Sequence, residues 1–155
     1  MIEVPVRIER SFRLPAPPER AWAVLHDVPR WGALFPGVAS IEPYGPGGAG
    51  AYLWTMEPMG PPGGRVTTVY ACDYAADEAA HTLAWTPIEG VGNARFAGHA
   101  GLREAAGGAA GTLVLQAALR IPAPRFVRGV VAPAVAFEMG RMTDGFLDRL
   151  RAELA

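Results

Sequence analysis

Apolar and polar residues alternate through Ile2-Glu3-Val4-Pro5-Val6-Arg7-Ile8-Glu9, and the apolar face continues through Phe12 and Leu14. A period of two marks a strand with one buried face, so a strand is expected over Ile2–Leu14. Arg10 falls on that apolar face. Near a strand end, a long arginine can lay its stem on apolar surface and carry its charge to water. The period then changes. Pro17 and Pro18 suit a first helical turn, Glu19 complements the helix dipole there, and Ala21, Trp22, Val24 and Leu25 carry the helix to His26 or Asp27. A second short helix is expected over Pro29–Phe35, anchored by Trp31, Leu34 and Phe35 and ended by Pro36-Gly37.

The middle of the chain reads as a meander of antiparallel strands over Val38–Tyr44, Ala51–Glu57, Arg65–Tyr74, His81–Thr86, Asn93–Glu104 and Thr112–Ile121. Breakers separate them at Gly45–Gly50, Met59–Gly64, Ala75–Glu78, Pro87–Gly92 and Ala105–Gly111. Connections this short favour antiparallel neighbours, because parallel pairs need crossovers. None of the glycine runs opens a helix at phosphate-binding spacing.

The clearest helical period lies at the C-terminus. At roughly 100° per residue, Met139, Met142, Thr143, Phe146, Leu147, Leu150 and Leu154 share one side, with Arg141, Asp144, Asp148 and Arg151 opposite. Upstream, Phe126, Val130, Ala134 and Phe137 form a second stripe that points nearly the other way. Proline removes a helical donor. A break or new start is therefore expected near Pro133, with Phe126–Val131 as a separate short element and Met139–Leu154 as the closing helix. The alternative is one continuous helix buried on both sides near Phe137, where a partner chain packs. The pattern as a whole is α+β, a seven-stranded antiparallel sheet with a long C-terminal helix, read as a single domain over residues 1–155.

Composition narrows the function. Half of the 155 residues are hydrophobic and 19% are charged, which marks a chain with a substantial core. A net charge of −1 offers no electrostatic case for nucleic acid. All 14 basic residues are arginines, as in the coding bias of a GC-rich bacterial genome, so neither a Schiff-base lysine nor a P-loop lysine exists in this chain. Cys72 stands alone, which rules out an internal disulfide and fits a reducing compartment. The first residues are too charged for a secretory signal, and the longest apolar run, Gly129–Phe137, falls short of the about 20 residues of a membrane span. A cytoplasmic location is expected.

Motif chemistry is sparse. His26, His81 and His99 lie on separate elements without metal-ligand spacing, so no metal and no cofactor is expected. The only serines, Ser11 and Ser40, lack a nucleophile motif. Cys72 reads as a small buried hydrophobe at mid-strand. With the apolar strand faces turned inward, the candidate ligand-binding set is Trp54, Met56, Tyr70, Cys72, Trp85, Phe96 and Leu115 from the sheet. The helix adds Met139, Met142 and Phe146. Tyr52, Val66, Thr68, Tyr74 and Leu83 share those faces. Methionine and aromatic groups suit an adaptable apolar pocket. A register shift of one residue would instead turn Glu57, His81, Arg95 and His99 inward. Tyr70, His81, His99, Glu57 and Glu138 are the groups available for acid–base chemistry.

Several segments resemble the helix-grip superfamily termed SRPBCC or START-like, which includes polyketide cyclases, lipid-transfer START domains and the birch-pollen allergen group. Ala16-Pro-Pro-Glu-Arg-Ala-Trp-Ala-Val-Leu-His-Asp27 is similar to its strand-to-helix start, and Leu34-Phe-Pro-Gly-Val38 to the exit of its second helix. Leu119-Arg-Ile-Pro-Ala-Pro-Arg-Phe126 resembles its last strand running into the closing helix, and Met139–Leu154 matches that helix in place and amphipathicity. The resemblance implies a curved sheet wrapped around the C-terminal helix, two small helices after the first strand, and a cavity for an apolar ligand.

Three functions follow as expectations. The first is a carrier or sensor of a small hydrophobic molecule such as a lipid, polyketide, quinone or aromatic metabolite. The second is a polyketide cyclase or dehydratase using the same cavity. The third is a protein–protein interaction module through the region around Phe137, with the chain a monomer or a homodimer.

Overall fold

A computed structural model describes residues 1–45 and 50–155. The chain runs β1 (Ile2–Leu14), α1 (Pro18–Leu25), α2 (Val28–Gly32), β2 (Val38–Pro43), β3 (Ala51–Met56), β4 (Val69–Asp77), β5 (Thr82–Pro87), β6 (Ala94–Ala105), β7 (Gly108–Ile121) and α3 (Arg128–Leu154). A single 3-10 turn at Arg125–Val127 leads into α3. The strands form one antiparallel sheet in the order β1-β7-β6-β5-β4-β3-β2. Consecutive strands from β2 to β7 are neighbours, and β1 pairs along β7 over its whole length, Ile2 opposite Ile121 and Leu14 opposite Ala109. This is the α+β helix-grip architecture: a seven-stranded sheet, two short helices after β1, and the long helix across the sheet.

Alternation sets which face is buried. In β1, Ile2, Val4, Val6, Ile8, Phe12 and Leu14 are buried while the residues between them are exposed, apart from the half-buried Arg10. Arg10 reaches the flank of α3, where its Nε donates to Asp144 Oδ1 at 2.7 Å. In β6, Ala94, Phe96, Ala100 and Leu102 point into the core, and Arg95 and His99 lie on the exposed face. Glu57 is exposed as well, so the shifted register that would bring these groups inward does not occur.

The second helix ends at Gly32 rather than Phe35, and four further differences from the sequence pattern each have a local cause. β7 begins at Gly108, inside the expected breaker Ala105–Gly111, after a two-residue turn at Ala106-Gly107. Its small residues are strand residues because other groups press on them. A Cβ on Gly111 would come within 2.4 Å of the Phe12 ring. At the next hairpin β4 continues to Asp77, since Ala76 pairs with Leu83, and the turn moves to 78–81, where His81 takes the left-handed φ of 53°. Toward its start β4 opens only at Val69. Residues before it are held by Asn93, whose Oδ1 accepts from Val69 N and whose Nδ2 donates to Thr67 O, both at 2.9 Å. Finally, α3 is continuous through Pro133. The proline lies near the helix N-terminus and removes only the bond its N–H would have made to the Gly129 carbonyl, so the helix starts at Arg128 rather than restarting beyond the proline. The breaker Gly45–Gly50 falls mostly on residues 46–49, outside the described residues.

The buried side of α3 is the predicted stripe: Met139, Met142, Thr143, Phe146, Leu147, Leu150 and Leu154. Phe126, Val130 and Phe137 are exposed, Phe137 by 73%, so the upstream stripe is not buried within this chain, although Val130 and Ala134 also border the cavity between α3 and the sheet. Among the described residues, no helix is long and apolar enough to cross a membrane.

Candidate functional site

Between the concave face of the sheet and α3 lies a cavity of about 820 Å³. Bulky side chains pack between α3 and the rest of the fold at one end, and smaller ones border the cavity near the start of the helix. Trp31 on α2, Phe35 just after that helix, and Phe146 on α3 pack together, with ring centroids 5.9 Å apart for Trp31–Phe146 and 5.0 Å for the stacked Phe35–Phe146 pair. Along the first turns of α3 the side chains bordering the cavity are Val130, Val131, Ala134 and Val135, followed by Glu138. The closed end is built from buried Phe12, Leu25, Trp31, Trp54, Leu83 and Trp85. The open end is rimmed by exposed Gly60, Pro61, Gly64, Arg120, Pro122 and Val130.

The sheet positions its aromatic wall by pairing large residues with bare backbone. Gly98 faces inward on β6, and a Cβ there would meet the Trp85 ring at 2.6 Å and the Val114 carbonyl at 2.2 Å. Trp85 therefore lies down on β6 instead of standing into the cavity. Gly32 does the same for Trp54, since a Cβ on it would come within 2.9 Å of that ring. Asp27 caps α2, its Oδ1 accepting from Arg30 N at 3.4 Å, and this short helix delivers Trp31 into the wall. The result is a continuous aromatic run: Tyr70 stacks on Phe96 at 3.9 Å and on Trp54 at 5.7 Å, Trp54 meets Trp31 at 5.3 Å, and Trp31 meets Tyr74 at 6.2 Å.

Of the residues expected to bind ligand, Trp54, Met56, Tyr70, Trp85, Phe96, Leu115, Met139, Met142 and Phe146 border the cavity. Cys72 does not. It is fully buried behind the wall, where its Sγ donates to the Phe96 carbonyl at 3.3 Å. Phe12, Leu25, Trp31 and Ala100 also border the cavity. Phe12 and Ala100 could have been found from strand alternation, Trp31 and Leu25 only from knowing where α1 and α2 dock.

Charge is confined to the mouth. Arg120 donates to the Gly92 carbonyl at 2.8 Å. The Glu138 carboxylate sits 2.5 Å from Arg141 Nη2, and that hydrogen bond holds it below the usual carboxylate range. Deeper in, the titratable groups are neutral. Burial pushes the Tyr70 hydroxyl well above its ordinary value, with the nearby Cys72 adding to it. Tyr74 rises for the same first reason. Burial pushes the Cys72 thiol up to about 12, only partly offset by a hydrogen bond from Tyr74. Among the described residues, no cluster of three or more His, Cys, Asp or Glu side chains is placed to hold a metal ion.

A sheet curved over one long helix around an apolar cavity defines the helix-grip, START-like class. The chain belongs to the family described as polyketide cyclase / dehydrase and lipid transport, which matches residues 5–155. No curated protein matches it. Solved structures similar to it include TTHA0849 from Thermus thermophilus (21% identity, 97% of this chain and 99% of that one, TM-score 0.68). A START superfamily protein from Mycobacterium smegmatis is similar at 11% identity, with 96% of each chain covered and a TM-score of 0.69. The aromatase/cyclase Zhui from a Streptomyces species is similar at 21% identity, over 97% of this chain and 93% of that one, with a TM-score of 0.61. At these identities the likeness is one of fold.

Proposed function

We propose that this protein binds a small hydrophobic molecule in the cavity between sheet and α3 and acts as its carrier or sensor. The observation that carries this reading is the cavity itself: about 820 Å³, walled by aromatic, aliphatic and thioether side chains, with its charges held at the mouth. That volume lies within the range of sites for drug-sized molecules. Trp54, Met56, Tyr70, Trp85, Phe96, Leu115, Met139, Met142 and Phe146 form the contact surface, and the ligand is a lipid, polyketide, quinone or aromatic metabolite. The test is native mass spectrometry of protein purified from its own host, followed by solvent extraction. A co-purifying apolar molecule supports the carrier. A molecule lost in Ala100→Phe, which fills the cavity from β6, places it there.

A second reading is a cyclase or dehydratase that uses the same cavity. Tyr70 supports it, being a neutral hydroxyl at the cavity wall, where it can donate a hydrogen bond to a substrate carbonyl. Turnover of a poly-β-ketone substrate that vanishes in Tyr70→Phe is the expected result. Substrate bound but returned unchanged would sink the enzyme reading. The third reading, an interaction module around Phe137, rests on the exposure of Phe126, Val130 and Phe137. Sedimentation velocity over a concentration series tests it, and a strict monomer at every concentration removes the homodimer.

A further inference from the structure

We infer that α3 seals the free edge of β1 with arginine guanidinium groups, and that this seal keeps a second copy of the chain from pairing with β1 and extending the sheet.

The strand order leaves two edges, β1 and β2. An edge strand with unpaired N–H and C=O groups is a template for another strand. β2 is a poor template: it has six residues, ends in Pro43 and is irregular between Val38 and Ser40. β1 has 13 residues, alternates Ile, Val and Phe with polar residues, and pairs along one side only, with β7. In an antiparallel pair alternate residues bond to the partner strand, and those between them turn their N–H and C=O groups the other way. Three backbone carbonyls of β1 accept from arginines: that of Glu3 from Arg128 Nη1, that of Glu9 from Arg10 Nη1 at 3.1 Å, and that of Arg13 from Arg151 Nε at 3.2 Å. All three belong to odd-numbered residues, which are therefore the ones that face away from β7. Pro5 belongs to the same set and has no N–H to offer. Between Glu3 and Arg13, among the described residues, Arg7 and Ser11 keep both groups open, on either side of the capped Glu9.

The spacing along α3 extends the seal over the whole strand. Arg128, Asp144 and Arg151 lie on this one helix, and Asp144 holds Arg10 through two bonds, to Oδ1 at 2.7 Å and to Oδ2 at 3.4 Å. At a helical rise of about 1.5 Å per residue, Asp144 and Arg151 lie about 24 and about 35 Å from Arg128. At a strand rise of about 3.4 Å per residue, Arg10 and Arg13 lie about 24 and about 34 Å from Glu3. Helix and strand therefore run side by side in one direction with three fastenings in step, and α3 packs on β1 more than on any other strand. These contacts are at the surface, where the net worth of a hydrogen bond is modest. The seal acts by occupying acceptors and by setting charge along the edge, both of which bar another strand.

Sedimentation velocity over a concentration series tests the seal in the double variant Arg128→Ser/Arg151→Ser, with folding checked by thermal melting. The variant is expected to associate, its sedimentation coefficient rising with concentration toward that of a dimer. Adding Ser11→Pro is expected to return it to the native value, because proline removes an outward N–H and no bond to β7. Gly32→Ala, which disturbs packing around Ile41 and Trp54 instead of the edge, is expected to sediment as the native chain does. The single variants Arg128→Ser and Arg151→Ser should associate less than the pair. A double variant, or a single one where the pair does not fold, that sediments as the native chain does would overturn the seal. Association that survives Ser11→Pro would overturn β1 as the pairing surface, and equal association of Gly32→Ala would assign the effect to loosened folding. A native dimer that Ser11→Pro dissociates would show the edge already open and overturn the inference as well. A dimer formed through the exposed Phe137 face would not respond to Ser11→Pro.

Discussion

Trp54 belongs to the core as much as to the cavity. It is 2% exposed, stacks on Tyr70 and lies under Gly32. Truncating such a side chain removes its burial and leaves a void, so Trp54→Ala is expected to destabilise the fold by about 3–5 kcal/mol, read as a lower denaturant midpoint. Gly32→Ala tests the same contact from the other side. The new Cβ would fall 2.1 Å from Ile41 Cδ1, and a loss of about 1–3 kcal/mol is expected from overpacking. Cys72 makes a pH prediction. Its folded pKa is raised from 9.0 to about 12, so the folded state keeps a proton that the unfolded chain has released. The unfolded state then binds fewer protons, and stability falls as pH rises. The stabilisation is complete below about pH 9 and is lost through pH 12, with Tyr70 and Tyr74 acting in the same direction. Denaturation at stepped alkaline pH measures it. A thiol reagent at pH 8 should label Cys72 only in denaturant.

Among the elements, α3 holds the two faces of this protein together. Its C-terminal half is anchored by Leu147, Leu150 and Leu154, and its first turns form part of the cavity mouth with small side chains. Pro133 lies in those first turns and forgoes the bond to the Gly129 carbonyl. Pro133→Ala restores that donor and should raise the thermal midpoint, with slower amide exchange over the first turns of α3. The expected gain is about 1 kcal/mol, below the usual proline penalty because the site is near a helix end and alanine also frees the unfolded chain. An unchanged midpoint and unchanged exchange would show that the helix start is frayed with either residue.

For the whole molecule, the cavity is the property that no single element has. Its volume depends on the curvature of the sheet, the docking of α2 and the distance at which Phe146 and Trp31 hold α3. Ala100→Phe puts a ring into that space from the middle of β6. The ligand-free protein should be as stable as before or more so, while binding of any small apolar molecule is lost, which calorimetry with a fluorescent apolar probe would show. Retained binding at full strength would mean that the bound molecule sits elsewhere.

The strand faces and the buried stripe of α3 were legible from residue order alone, because alternation at period two and recurrence at 3.6 are set by backbone geometry within one element. Ile2 through Leu14 and Met139 through Leu154 needed no knowledge of their partners. The small residues of β7 misled for the opposite reason: Gly108 and Gly111 are strand residues because Leu14 and Phe12 press against them from β1, nearly a hundred positions away. Pro133 misled in the same way, since its cost depends on where the helix begins. Trp31 carried no sign of its place in the wall, which follows from the docking of α2 on β3 and α3. Local periodicity decides which side of an element is apolar. How far apart two apolar sides come to rest is set by long-range packing, and that distance separates a filled core from a binding site.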